Sequence, residues 1–311
     1  MADAGGAERL GARLLGEVEE CALSERGIHV LELVSPPCTH HPSPAGKTSL
    51  LHLIITHAIL PASLSCVPLS SQNAAVILFD PLHRFSVPFL ARTLFAHLTS
   101  ALTTAGQDLT SPTLKNEVTH CVKTALAHVH IFRPSSWAAL LATLRSLETY
   151  LFDGTRHTSS HRAIRSLVLD DIDAFIPSIR STSSAIPSGA GANPLTAAST
   201  QLTFHVEKLA TLLSCAVVTT SRSPSANAFH ALLPMSWPAG MQVTRVAVRR
   251  VEVLKFAPWV SVEEAEGERG QRWEVVSRGR FEAWKVGVGR EGEGFVFRVG
   301  DGVRIEREGG G

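Results

Sequence analysis

P-S-P-A-G-K-T-S, residues 42–49, decides how this 311-residue chain is read. An apolar run at 28–34 (I-H-V-L-E-L-V) precedes it, and a second run begins at Leu50. Strand, tight turn carrying Gly-Lys-Thr, then helix is the layout of a nucleotide phosphate loop. There, backbone N–H groups at a helix N-terminus face an anion and a lysine reaches the outer phosphates. The full pattern is G-x-x-x-x-G-K-[ST]. Its second half is intact in Gly46, Lys47 and Thr48, but His41 stands at the leading glycine position. A lysine in the first turn of a helix opposes the helix dipole unless an anion balances it, which favours a phosphate role for Lys47.

Outward from this loop, three more apolar runs have the continuous character of central parallel strands buried on both faces. A-A-V-I-L-F-D ends in Asp80, S-L-V-L-D ends in Asp170, and C-A-V-V-T-T begins at Cys215. A fourth, H-V-H-I-F-R, ends in Arg133. Helical periodicity predicts helices over 47–60, 88–100, 115–127, 137–152 and 197–213. Strands alternating with helices imply an α/β fold, a mostly parallel central sheet with helices on both faces. Residues 99–113, 178–200 and 221–242, rich in Ser, Thr, Gly or Pro, are expected to be loops. After residue 242 apolar strands follow without helices, and they are expected to add antiparallel strands to the sheet. The expected organisation is an N-terminal helical segment (1–27), a phosphate-loop core (28–242) and a β-rich extension (243–311) of the same domain.

Bulk composition excludes several classes. The formal charge is +1 and 44% of residues are hydrophobic, so no overall basic character points to nucleic acid. Charge is instead concentrated in 245–311, where 25 of 67 residues are charged, while all 14 His lie at or before His230. Five widely spaced Cys without a C-x-x-C suggest free thiols in a reducing compartment. Cys38, His40 and His41 lack a second ligand pair at zinc spacing, so a loop is favoured over a metal centre. The N-terminus has neither signal-peptide nor transit-peptide character, and no membrane association is expected.

In a phosphate-loop protein the Thr48 hydroxyl holds Mg²⁺, and a strand-end acid supports the Mg²⁺ shell. Asp170 has that position. Hydrolysis also needs a group that orients water. Asp171 could serve in principle, although Asp171 and Asp173 read more simply as loop caps. A nuclease centre built from these three acids lacks further ligands at recognisable spacing.

The segment order resembles that of the RecA-type eukaryotic strand-exchange recombinases. The segments that carry the resemblance are G-I-H-V-L-E-L-V, P-A-G-K-T-S-L-L, V-I-L-F-D-P-L-H-R-F, H-V-H-I-F-R-P-S-S, S-L-V-L-D-D-I-D-A-F and A-V-V-T-T-S. Within that family the chain is most similar to the recombinase paralogues of the X-ray repair cross-complementing group. The resemblance covers about residues 8–300 and implies a RecA-like core. It implies ATP contacts at Pro44, Ala45, Gly46, Lys47, Thr48 and Ser49, and Mg²⁺ at Thr48 and Asp170. It also implies a nuclear DNA-repair role in homologous recombination, with other paralogues or the main recombinase and single-stranded or branched DNA as partners. Three positions depart from the active members. His41 replaces a glycine, Leu82 stands where their water-polarising Glu lies, and Ser221 stands where their γ-phosphate-sensing Gln lies. The departures imply a mediator subunit with little or no ATP hydrolysis. Residues 178–200 and 221–242 match the family's DNA-contacting loops, yet offer only Arg180 and Arg222 as cations, so weak DNA binding is expected. Two alternatives are an active DNA-stimulated ATPase and a metabolite kinase or other phosphotransferase. The latter needs a lid drawn from Arg133, Arg145, Arg156, Arg162 and Arg165.

Overall fold

The apolar runs form one nine-stranded sheet in the computed structural model, which describes residues 28–37, 45–184, 193–225, 229–251, 261, 263–264, 266–267, 279–287 and 294–306. The predicted N-terminal segment 1–27, the 38–44 stretch with His41 and Pro44, and the 252–260 run lie outside the described residues.

The large sheet is built from β1 (His29–Ser35), β4 (Ala75–Phe79), β5 (Val129–Phe132), β6 (Ile164–Leu169), β7 (Ala216–Arg222), β8 (Gln242–Arg250), β9 (Arg280–Lys285), β10 (Gly294–Val299) and β11 (Val303–Ile305). Two short strands, β2 (Ser63–Leu64) and β3 (Val67–Pro68), pair separately. The order across the large sheet is β11-β10-β9-β8-β1-β7-β6-β4-β5. From β8 to β5 every pairing is parallel. From β8 outward to β11 every pairing is antiparallel. The protein is therefore an α/β fold with a large, mostly parallel central sheet.

Helices flanking the sheet among the described residues are α1 (Lys47–Ile59), α2 (Val87–Thr104), α3 (Pro112–Leu126), α4 (Trp137–Leu151), α5 (Ile176–Ser184) and α6 (Pro194–Leu213). Successive side chains of each strand point to opposite faces. Leu31, Leu33, Val76, Leu78, Val168 and Val218 join the core under α1, α2 and α3. Val30, Ile77, Phe79, Leu167, Leu169 and Val217 join the core under α4, α5 and α6. Two cores explain why the runs show no polar alternation: both faces of each strand are covered.

Three expectations are corrected here. β8 pairs parallel with β1, so only β9 to β11 add antiparallel strands. The predicted loop at 99–113 is helical at both ends, since α2 reaches Thr104 and α3 starts at Pro112, leaving 105–111 as the connection. Thr99, Thr103 and Thr104 donate their hydroxyls to the carbonyls of Phe95, Thr99 and Ser100, which lets the polar residues stay in the helix. The predicted loop at 178–200 is occupied by α5 up to Ser184 and by α6 from Pro194. The Asn193 side chain accepts a hydrogen bond from Leu195 N, and Pro194 sits where a helix start tolerates proline. Among its described residues the 223–241 connection has no helix, but it is anchored. Trp237 Nε1 donates to Glu32 Oε1 at 2.7 Å, and Arg245 holds the other oxygen of that buried carboxylate at 2.6 Å.

At the β5 edge, buried His128 and His130 share Ser159. Ser159 Oγ lies 2.8 Å from His128 Nδ1 and 2.8 Å from His130 Nε2, and Tyr150 OH lies 3.0 Å from His130 Nδ1. A chain of three hydrogen bonds from Tyr150 through His130 and Ser159 to His128 satisfies all four groups with both rings neutral. Burial pushes both imidazoles below their ordinary range, His128 to about 4, with the Arg162 cation adding to the effect at His128. Folded-state values below the unfolded one mean that this stability is complete above pH 6.5 and is lost as pH falls toward 4. Between pH 6.5 and 4 the wild type is therefore expected to lose melting temperature relative to His128→Asn in paired thermal melting series.

Candidate functional site

In a parallel sheet the C-terminal ends of the strands lie along one edge, and ligands of such sheets bind there. Here that edge carries Ser35 at the end of β1, Thr220 and Arg222 in β7, Asp170 after β6, Asp80 after β4 and Arg133 after β5. The register aligns them: Leu169 sits opposite Phe79 and Thr219, Phe79 opposite Phe132, and Ser35 opposite Arg222.

The first turn of α1 enters the same edge. Gly46 caps the helix with φ +89°, a left-handed conformation that L side chains resist. A side chain here would also meet the Phe281 ring at 2.6 Å and Phe297 at 3.1 Å. Those two rings, from β9 and β10, stack 5.4 Å apart beneath the turn. Glycine is thus required twice, by backbone angle and by space. Ala45 precedes it, half-buried, and Ser49 follows on the helix, half-buried as well.

Lys47 is buried, and its Nζ donates to Ser35 Oγ at 2.6 Å. Burial lowers its pKa, opposed first by the charge of Asp171 and then by that of Asp170. Thr48 Oγ1 donates to Asp170 Oδ2 at 3.3 Å. The other oxygen of Asp170 accepts from Thr220 Oγ1 at 2.6 Å, and Thr220 Oγ1 in turn accepts from Asp171 N at 2.7 Å. Asp170 is 2% exposed. Burial, then the neighbouring Asp171, push its pKa up to about 6, against the Thr220 hydrogen bond and the Lys47 charge. Asp173 is likewise pushed up to about 6 by burial, while it accepts a hydrogen bond from Arg222 N.

Asp171 turns the chain out of β6 with φ 48° and pairs with Arg84 Nη1 at 3.1 Å. Asp80 caps its own loop, accepting from Arg84 N at 2.8 Å and Phe85 N at 3.3 Å, with Arg133 Nε 3.5 Å away. Leu82 projects from this loop, 41% exposed. Buried His52 joins the loop to α1. Its Nδ1 lies 2.6 Å from Thr48 O and its Nε2 lies 3.1 Å from Ser86 O, while Phe85 stacks on the ring at 4.2 Å.

The sequence-predicted residues Gly46, Lys47, Thr48 and Asp170 converge, whereas Pro44 lies outside the described residues. Arg222 belongs to this cluster: its backbone bonds Asp173, and its charge bears on Lys47. Arg180 is instead an exposed residue of α5. The arginines considered as a lid do not converge here. Arg145 bonds His205, Arg156 bonds Asp153, Arg162 bonds Ile59 O and Arg165 stands near the start of β6, at the strand end away from Asp170, whereas Arg133 reaches the site. Sequence reading passed over Ser35, Thr220 and Arg84. The first two carried a usable signal, since each is a small polar residue ending an apolar run.

The donor set suits a hydrated magnesium ion. Among the described residues no group of three or more His, Cys, Asp or Glu is arranged to hold a metal by itself. Mg²⁺ needs only one or two protein oxygens, with water and phosphate supplying the rest. A cation beside Asp170 would offset the cost of its buried charge. No family model matches the chain, and a search of curated proteins returns no match.

The raised pKa of Asp170 gives a stability test. Its folded value lies above the unfolded one, so the contribution of Asp170 to stability falls as pH rises from about 4 through 6. Asp170→Asn is expected to gain about 1–3 kcal/mol over the wild type at pH 8 and nothing at pH 4, measured by denaturant unfolding without ligand.

Proposed function

We propose that the chain is a RecA-like phosphate-loop protein that holds ATP with Mg²⁺ at this edge and hydrolyses it slowly or not at all. The observation that carries this reading is the meeting of Gly46, Lys47 and Thr48 with Asp170, residues 122 apart in sequence, through the Thr48–Asp170 hydrogen bond. Gly46 and the free amides of α1 would take the β-phosphate region, with Ala45 and Ser49 beside them. Lys47 would leave Ser35 for the outer phosphates. Thr48 and Asp170 would hold Mg²⁺, whose role is to neutralise phosphate charge.

The weak-hydrolysis part rests on what surrounds the outer phosphate position. Asp80 is engaged by two backbone amides and Arg133, so it is not available as a base. Leu82 offers no proton acceptor.

The biological role that fits this site and the segment order is that of a recombinase paralogue. It would be an accessory subunit for homologous recombination and double-strand break repair in the nucleus. Its partners would be other paralogues or the main recombinase, with single-stranded or branched DNA contacted within the complex. Arg180 remains a candidate for DNA. Arg222 fits the phosphate site better. Among the described residues no helix is long and apolar enough to cross a membrane. An active DNA-stimulated ATPase is the alternative reading, favoured by the complete Lys47, Thr48 and Asp170 set.

Magnesium ATP at a hundredfold excess over its Kd is expected to stabilise the protein by about 2.7 kcal/mol, and Lys47→Ala to abolish the effect. A melting scan of both proteins checks this; no shift for the wild type removes the nucleotide reading. Turnover on single-stranded DNA that Lys47→Ala abolishes would favour the alternative. Affinity capture after DNA damage is expected to recover a recombinase or paralogue, and its failure to do so would count against the recombination role.

A further inference from the structure

Arg84 is not an ordinary surface arginine. Its backbone N donates to Asp80 Oδ1, and the next residue, Phe85, is buried and stacked on His52. His52 in turn faces the carbonyl of Thr48, within the turn that carries Lys47. The loop bearing Arg84 is therefore fastened to the first turns of α1. From this fixed base the side chain, 49% exposed, reaches Asp171 at 3.1 Å. Asp171 is also the anion that acts most strongly on Lys47. Arg84 is thus paired with the carboxylate next to Asp170, whose charge also bears on Lys47. The hydrogen bond to Asp171 uses one proton of Arg84, and a guanidinium carries five N–H donors in a fork suited to phosphate.

We propose that Arg84 is the residue that distinguishes a nucleoside triphosphate from a diphosphate, by turning its fork from Asp171 to the terminal phosphate. This rests on the nucleotide reading of the site. Lys47 would reach the β-phosphate and Thr48 the magnesium ion, which both nucleotide complexes share, whereas Arg84 approaches from the β4 side, over the Asp170–Asp171 corner. An arginine–phosphate hydrogen bond is stronger than a neutral one, and its loss is read as a selective weakening of ATP.

Affinities for magnesium ATP and magnesium ADP, measured by calorimetry, test the proposal. Wild type is expected to prefer ATP. Arg84→Ala is expected to weaken ATP about tenfold and ADP less than about twofold. Arg145→Ala, which removes a cation bonded to His205, is expected to change neither. Arg84→Lys keeps a cation beside Asp171 and guards against a variant that fails to fold; it is expected to keep ADP affinity and lose part of the preference for ATP. Equal effects of Arg84→Ala on both nucleotides, or no effect on either, overturn the role of Arg84 while leaving the nucleotide site standing. Wild type binding neither nucleotide overturns the site itself, and the role with it.

Discussion

One buried carboxylate holds this site together. Asp170 takes Thr48 on one oxygen and Thr220 on the other, joining α1 and β7 to the end of β6. Its charge is costly to bury, and Lys47 only partly compensates it. Four aspartates and the cations Lys47, Arg84, Arg133 and Arg222 crowd the same edge, so the arrangement is a charge balance rather than a set of isolated pairs. Such a balance is poised to accept a ligand carrying both signs, and a magnesium-bound phosphate chain is one.

The rest of the architecture delivers groups to that carboxylate. Parallel pairing from β8 to β5 sends every strand end to one edge, and burial of both sheet faces fixes the register. The antiparallel strands at the far end serve the site indirectly. Phe281 and Phe297 lie under Gly46 and define the path by which the chain enters α1. His52 then ties that helix to the loop after β4 through both ring nitrogens and the stacked Phe85.

Much of this was legible in the residues alone. Continuous apolar runs marked β1, β4, β6 and β7 as buried parallel strands, and Gly46, Lys47, Thr48 and Asp170 followed from motif and strand-end logic. The direction of β8 was not legible. Absence of a helix between β7 and β8 suggested antiparallel pairing, but a parallel return needs only a long enough crossover, and 223–241 supplies one. The helical ends of α2 and α6 were hidden by Ser and Thr, which propensity places in loops. Hydroxyl bonds to carbonyls one turn back, and the Asn193 cap, decided otherwise. The ion pair between Arg84 and Asp171 joins residues 87 apart through a turn with positive φ, which periodicity does not reveal.

The central claim is that 45–49 and the end of β6 form one ligand site. Hydrogen exchange measured by mass spectrometry, with and without magnesium ATP, addresses it directly. Peptides covering 45–60 and 164–173 are expected to slow together on adding magnesium ATP, and neither is expected to slow with magnesium alone. Unchanged exchange in both, or protection confined to other parts of the chain, would contradict the account.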